Sequence, residues 1–566
     1  MVCLHRLKKW LAGQAHLYFL FVAALLAPHL FLLYTEPMTP WLAAGFVLAP
    51  LGVYMALMLV FRRPGVMLWL LFPLLFLGAF QLVLLYLFGE SIIAVDMFLN
   101  LFTTNSTEAL ELLDKLLPSV AGVVVLYVPM LALGVVSMRT AGRLSDSFRE
   151  KAALAAGSLF LAGALCLWMH GRADNAFRLR LHVYPVNVCY NIGLAAERWK
   201  ASENYPAASA GFTFGARSAH DPEQREIYLM VVGETARAVN WELYGYERST
   251  NPGLREMPGI VCFSDALSQA NATHKSVPML LSAASAEDFD RLYRQKSALT
   301  AFKEAGFRTA FFSNQLPNHS FIDYFAAEAD VHEFLKEDPA EGANPYDTEL
   351  VKQVEKFLEQ GGRKCFIVLH CYGSHFNYSE RYPASEAFFK PDKIEGIDQK
   401  ERPALINAYD NSLRATDRML ASLMRLLAGQ EGVAALLYTS DHGEDLLDDR
   451  RDRFLHSSPV PTFYQLHVPY VLWVSPAYDR RYPEMAARAR ANAHCPVTTN
   501  TFFHTMLGLG GIGTPYRNDT LSLVSERFRA TPRHYLNDHN KPVRLDQTGF
   551  KKEDVEMFRK LGLSYP

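Results

Sequence analysis

Apolar residues fill the first third of the chain in five long runs, at about 17–34, 41–61, 67–88, 119–137 and 153–169. Each is span-length or nearly so for a membrane helix. From about residue 223 the pattern changes to short buried-type strands at Ile227–Val232, Thr309–Phe312, Phe366–His370, Ala434–Thr439 and Tyr470–Val474. Helical patterns at Lys296–Ala305, Asp347–Gln360 and Asn407–Leu427 alternate with them. This predicts an all-α transmembrane bundle of five helices over 1–170, a connector over 171–222, and an α/β domain with a mostly parallel central sheet over 223–566. Loops at the carboxyl ends of such strands are where function is expected.

The first run, Leu17 to Tyr34, is too long for the core of a cleaved signal peptide and is followed by further spans, so it reads as a retained first span. Basic residues set the orientation. Arg6, Lys8 and Lys9 precede span one, Arg62 and Arg63 follow span two, and Arg139, Arg143, Arg149 and Lys151 separate spans four and five. The alternate loops are nearly free of Lys and Arg, so an odd number of crossings puts everything after span five outside the cytoplasm. The outward loop after span three carries a helical pattern near 96–117, in which Asn105 or Ser106 caps a helix bearing Leu110, Leu113, Leu116 and Leu117. In the connector, Arg172, Arg178 and Arg180 interleave with Phe177, Leu179, Leu181, Tyr184 and Tyr190, a mixture that suits the headgroup layer or an ordinary surface linker. The small, polar stretch Ala207–Ala219 reads as a hinge or domain boundary.

Charge and cysteine content narrow this picture little. A net charge of -2 over 566 residues gives no reason to expect nucleic acid. Seven cysteines form an odd set, and Cys365 and Cys371 can pair only if the chain turns between them; otherwise they are small buried apolar residues.

The chemistry gathers at two strand ends. Val232-Gly233-Glu234 closes one apolar run and Ser440-Asp441-His442 another, so Glu234, Asp441 and His442 reach one sheet edge as carboxylate and imidazole ligands of the kind Zn2+ accepts. Thr273 supplies a hydroxyl for the remaining position, where a dication makes it a usable nucleophile near neutral pH. Taken singly, Glu234 can equally cap a helix and Thr273 can equally hydrogen-bond within a loop.

The stretch Gly233-Glu234-Thr235 through Tyr244-Gly245-Tyr246-Glu247-Arg248-Ser249-Thr250-Asn251-Pro252 resembles the bacterial phosphoethanolamine transferases, membrane-anchored members of the alkaline phosphatase and sulfatase superfamily. The resemblance continues through Gly373-Ser374-His375, Asn407-Ala408-Tyr409-Asp410-Asn411-Ser412, Ser440-Asp441-His442-Gly443-Glu444 and Phe454-Leu455-His456. It implies an alkaline-phosphatase/sulfatase-like catalytic domain, zinc on Glu234, Asp441 and His442, and Thr273 as nucleophile. His375 and His456 match the family's additional site histidines, with substrate binding and proton transfer preferred to a second metal site. Asn105 and Glu108 match a pattern in the outward loop, where a carboxylate suits an ethanolamine ammonium or a helix start. Lys275 is a candidate contact for the substrate phosphate or a solvated surface lysine. Two departures stand out: Ala270-Asn271-Ala272-Thr273-His274 replaces the family's Cys-Gly-Thr-Ala-type segment, and Phe376-Asn377 replaces its Gly-Pro after the histidine.

The implied function is two-step transfer of phosphoethanolamine from phosphatidylethanolamine to an envelope glycolipid or glycan, such as lipid A or the lipopolysaccharide core. The implied location is the bacterial inner membrane, multi-pass, with the catalytic domain in the periplasm. The nearest alternative is a phosphoglycerol transferase of the lipoteichoic acid synthase type. A sulfatase fits less well, because no Cys/Ser-x-Pro-x-Arg signature is present. A non-catalytic envelope sensor or scaffold is opposed by the complete set of site residues. A transporter is opposed by spans with almost no ionisable residue apart from His29.

Overall fold

The computed structural model describes residues 13–88, 92–103, 117–175, 177–337 and 345–566. The chain forms two compact units, one of residues 1–95 with 113–194, the other of residues 96–112 with 195–566.

The first unit is helical: α1 Gln14–Thr35, α2 Pro40–Met58, α3 Pro64–Leu70, α4 Phe72–Phe88, α5 Leu117–Arg139 and α6 Asp146–Ala173. Four of these, α1, α2, α5 and α6, are each long and apolar enough to cross a membrane, and α3 with α4 makes a fifth span bent by 63°. The predicted third span is thus broken, because Pro73 has no N–H to offer the carbonyl four residues back. Glycines let α2 and α6 touch: a Cβ at Gly163 would lie 2.3 Å from the Ala49 nitrogen, and one at Gly52 would lie 2.6 Å from the Ala156 oxygen. Arg63 donates to the Met138 carbonyl (2.9 Å), Arg149 to the Leu59 carbonyl (3.1 Å) and Arg62 to Asp146 (2.8 Å), so these three of the arginines used to orient the chain share one end of the bundle.

The second unit is built on a seven-stranded sheet: β1 Glu226–Gly233, β2 Ile260–Cys262, β3 Arg308–Ser313, β4 Val331–Phe334, β5 Lys364–His370, β6 Val433–Ser440 and β7 Tyr470–Val474. Its order is β2-β7-β6-β1-β5-β3-β4, parallel except that β7 runs antiparallel to both β6 and β2. Every residue of β1, β5 and β6 is buried, as expected for parallel strands covered on both faces. Alternate side chains feed two cores, with Tyr228, Met230 and Val232 on one face and Ile227, Leu229 and Val231 on the other. Gly233 pairs with Ser440 and Val232 with His370, so the segments after β1, β5 and β6 leave the sheet together.

All five expected strands are present. The three expected helices appear as Ala298–Glu304, Glu349–Glu359 and α8 Arg402–Ala428, the last starting earlier than expected with Pro403 in its first turn. Helix α7, Thr273–Leu281, carries the candidate nucleophile at its first position. Phe214 and Ala216, within the stretch expected to be a hinge, are buried in the core of the second unit. Cys365 and Cys371 are both free, because β5 holds them about 20 Å apart at strand rise.

Candidate active site

Glu234 follows the last residue of β1 and is 1 % exposed. Asp441 and His442 follow β6, and their side chains are wholly buried. The Asp441 N–H donates to the Gly233 carbonyl (3.0 Å), extending the sheet by one bond into the site. Thr273 enters from α7 and its Oγ1 lies 3.1 Å from His442 Nε2 and 3.4 Å from both carboxylate oxygens of Glu234. His442 Nε2 is itself 3.2 Å from Asp441 Oδ2 and 3.5 Å from Glu234 Oε1. The four residues expected to meet therefore do meet.

The histidines share one arrangement. Nδ1 of His442 is 2.9 Å from the Gly443 carbonyl, Nδ1 of His375 is 2.7 Å from the Phe376 carbonyl, and Nδ1 of His456 is 3.2 Å from Glu444 Oε1. A carbonyl only accepts, so in His442 and His375 Nδ1 carries the proton and Nε2 is left with its lone pair; burial raises the Glu444 carboxyl well above its ordinary value, so that contact alone fixes no tautomer for His456. Ligand atoms of Glu234, His442 and His456 lie within 4.8 Å of one another, so His456 joins the possible ligand group as well as the proton carriers. The His442 and His456 rings are 4.0 Å apart between centroids, and those of His375 and His456 6.2 Å.

Burial pushes the Glu234 carboxyl up to about 8, with the Asp441 charge adding to the effect, and burial pushes Asp441 up to about 7. It holds His442 and His456 down to about 4 and His375 well below the ordinary imidazole value. No Lys or Arg pairs with Glu234 or Asp441 among the described residues, and Asp441 Oδ2 is buried without a hydrogen-bond partner. Two carboxylates, neutral imidazoles and a hydroxyl converging without a cation form a donor set that fits zinc.

The family described as Sulfatase matches residues 226–512, half of the chain, from the start of β1 to beyond β7. The chain belongs to the sulfatase family. Its relatives include the phosphoethanolamine transferase EptC of Escherichia coli K12, 25 % identical over 329 residues, and EptA of Salmonella typhimurium, 29 % identical over 306 residues. The matches span 56 % and 52 % of this chain, and the chain spans about half the length of these relatives, 56 % and 55 %. Among solved structures, the integral membrane protein EptA of Neisseria meningitidis shares the fold at a TM-score of 0.69 and 21 % identity, covering 90 % of this chain and 98 % of that one. The periplasmic domain of E. coli EptC, solved as a complex with Zn, shares it at 0.54 and 24 % identity, covering 60 % and 97 %.

Much of what holds the site in this sulfatase-family chain was invisible as chemistry in the sequence. Thr235 sits at a positive φ of 63°. Its N–H donates to Asp441 Oδ1 (3.1 Å), its hydroxyl to Glu234 Oε1 (2.7 Å), and its carbonyl accepts from Tyr409 Oη (2.8 Å). Gln315, just past β3, donates to Glu234 Oε2 (3.2 Å) and to the Cys371 carbonyl (2.8 Å). Its position after a strand end was the available signal. Gly373, at φ +50°, lies so close to Glu234 that a Cβ there would be 2.5 Å from the Glu234 carbonyl oxygen. The motif residues Asn240, Tyr246 and Arg248 all converge on Asp410 of α8, at 2.8, 3.0 and 2.7 Å. Those two motifs therefore brace the loop behind Glu234.

Lys275 is not a solvated surface lysine; its side chain is turned to Asp96. Its side chain is 3 % exposed and its Nζ meets Asp96 Oδ2 at 2.5 Å and the Asn537 carbonyl at 3.0 Å. Asp96 also faces His274 Nε2 (3.2 Å) and Arg198 (3.7 Å), and its N–H donates to Asp538 (2.9 Å). Burial opposes the Asp96 charge, but Lys275, His274 and Arg198 outweigh it and hold the carboxyl well below the usual range. Asp96 belongs to the helix Val95–Thr103, the first part of the expected 96–117 helix; Asn105 and Glu108 lie outside the described residues. Replacing Asp96 by Asn leaves a buried ammonium and guanidinium short of a counter-charge beside the nucleophile helix. We expect Asp96→Asn to cost about 3–5 kcal/mol, read by urea unfolding of the full chain.

The site also predicts a pH dependence. Between about pH 7.5 and 8.5 the imidazoles are almost wholly neutral whether folded or not, whereas Glu234 and Asp441 are ionised when unfolded and still binding protons when folded without metal. The folded state then binds more protons, so stability falls as pH rises through this window. Metal-stripped protein should unfold at a lower temperature at about pH 8.5 than at about pH 7.5, and saturating zinc should remove the difference.

Proposed function

We propose that the protein transfers phosphoethanolamine from phosphatidylethanolamine to a glycolipid or glycan of the bacterial envelope. It would work from the inner membrane with its α/β unit in the periplasm. The observation that carries this reading is the Thr273 hydroxyl, 3.1 Å from His442 Nε2 and facing Glu234, at the carboxyl edge of a sulfatase-family sheet. The relatives named above, together with a Kdo(2)-lipid A phosphoethanolamine 7''-transferase of E. coli at 28 % identity over 300 residues, support the choice of transferred group and the acceptor class.

Glu234, Asp441 and His442 would hold zinc, with His456 within reach; bound there, zinc favours the ionised hydroxyl of Thr273 and neutralises charge on phosphoryl oxygens. In the first half-reaction Thr273 Oγ1 forms a bond to the lipid phosphorus, the bond from phosphorus to the glycerol oxygen breaks, and diacylglycerol leaves with the proton that Thr273 gave up. In the second, an acceptor oxygen displaces Thr273 from phosphorus and its proton returns to Thr273 Oγ1. The rings of His375 and His456, kept neutral by burial, are the carriers for these protons. Lys275 has no part in this step because Asp96 holds it.

The test is intact-protein mass spectrometry of detergent-purified enzyme incubated with phosphatidylethanolamine. A phosphoethanolamine adduct mapping to Thr273 supports the reading. A phosphoglycerol adduct from phosphatidylglycerol alone would instead support the lipoteichoic acid synthase type, and no adduct from either lipid on zinc-loaded protein would overturn both.

A further inference from the structure

Within the helical unit, α2, α6 and the segment 177–186 enclose a cleft of about 680 Å3. Its wall includes Val53, Phe160, Ala164, Trp168 and Leu179. Val53, Phe160, Trp168 and Leu179 remain between 39 and 59 % exposed, so among the described residues no other part of the unit fills the space. Arg172, in the last turn of α6, also lines it and lies over the Trp168 ring at 5.9 Å. Among the described residues no carboxylate pairs with this guanidinium.

The surroundings decide what occupies the cleft. Both α2 and α6 are long and apolar enough to cross a membrane, so the cleft lies at hydrocarbon depth. Ligand pockets of about 300–1,000 Å3 hold molecules of drug size. An empty space of that size would forfeit dispersion contacts along its whole wall, and water has too few polar partners there. From Phe160 to Arg172 the helix rises about 18 Å, against a leaflet hydrocarbon depth of about 15 Å. Arg172 sits at the end of α6 opposite Arg149, the level of the headgroups in the leaflet away from the Arg62, Arg63 and Arg149 end.

We infer that this cleft seats one acyl chain of a diacyl phospholipid, with the lipid phosphate on the Arg172 guanidinium. Bilayer tails are as apolar as the cleft wall, so chain burial alone gives little preference over free lipid. Retention rests on packing and on the charge-assisted bonds between guanidinium and phosphate. The site should therefore hold phosphatidylethanolamine and phosphatidylglycerol about equally. This inference needs only the membrane placement and stands whether or not the protein is a transferase.

The experiment uses full-length, delipidated Thr273→Ala protein in detergent, so that turnover cannot consume the lipid. Native mass spectrometry reads lipid occupancy, and a phosphatidylcholine with a photoreactive acyl chain reports position. We expect crosslinks concentrated on the peptides spanning 160–179, and at least a fivefold drop in occupancy on adding Ala164→Trp, which fills the cleft, or Arg172→Gln. Leu165→Trp, on an exposed neighbour outside the cleft, should change nothing. Crosslinks spread evenly over α1 and α5, or Arg172→Gln and Ala164→Trp binding lipid as the Leu165 control does, would overturn the proposal. Should Ala164→Trp fail to fold, the crosslink map and Arg172→Gln decide alone.

Discussion

Thr273→Ala should lower turnover by about 10^4-fold or more and abolish the covalent adduct, while leaving zinc content and folding unchanged. In the proposed mechanism this hydroxyl is the atom that bonds to phosphorus, and among the described residues near it no second hydroxyl is free to replace it. Ser276, one turn along α7, directs its Oγ to the Ala272 carbonyl, and Thr235 directs its own to Glu234. Removing the hydroxyl takes a hydrogen-bond partner from His442 Nε2 and one oxygen from the remaining position, but Glu234, Asp441 and His442 stay to hold zinc, which is why fold and metal binding should persist. Thr273→Ser keeps the oxygen and should restore adduct formation in part. A variant with alanine at 273 that retained a tenth of wild-type turnover would show that the nucleophile lies elsewhere.

Glu234→Gln should produce an inversion in stability. Without metal, burial and then the Asp441 charge oppose the ionisation of Glu234, so the wild type is penalised above neutral pH for this group and the amide is not. In chelator at pH 8 the variant should unfold at or above the wild-type temperature. With zinc the order should reverse, since the wild type gains about 2.7 kcal/mol when zinc is at a hundredfold excess over its dissociation constant. The variant, lacking one anionic ligand, should gain little and turn over too slowly to measure. Equal stabilisation of both proteins by zinc would remove Glu234 from the ligand set. Thermal unfolding in chelator and in zinc reads both halves of the prediction.

The strands carrying Glu234 and Asp441 could be read from the sequence because a parallel strand buried on both faces is an unbroken apolar run, and such a run ends where a polar ligand begins. Reading stopped short wherever position depends on another segment. Lys275 looked available because only its neighbours in the chain were visible; Asp96 lies 179 residues away and the fold delivers it. Gln315 carried no motif of its own and becomes part of the site only because β3 lies next but one to β1. The bend between α3 and α4 had a proline to announce it, yet hydropathy averages over the break.

By itself the sequence determined the membrane helices, the alternation of strands and helices, and the residue types that suit a metal and a nucleophile. These follow from local periodicity and from side-chain chemistry, which travel with the residues. Only the tertiary structure decided that Thr273 meets His442 and Glu234, that His456 lies within ligand reach of Glu234 and His442, that Asp96 pairs with Lys275, and that α2 and α6 leave an apolar cleft. Each of these is a distance between segments far apart in the chain, set by strand order and helix packing.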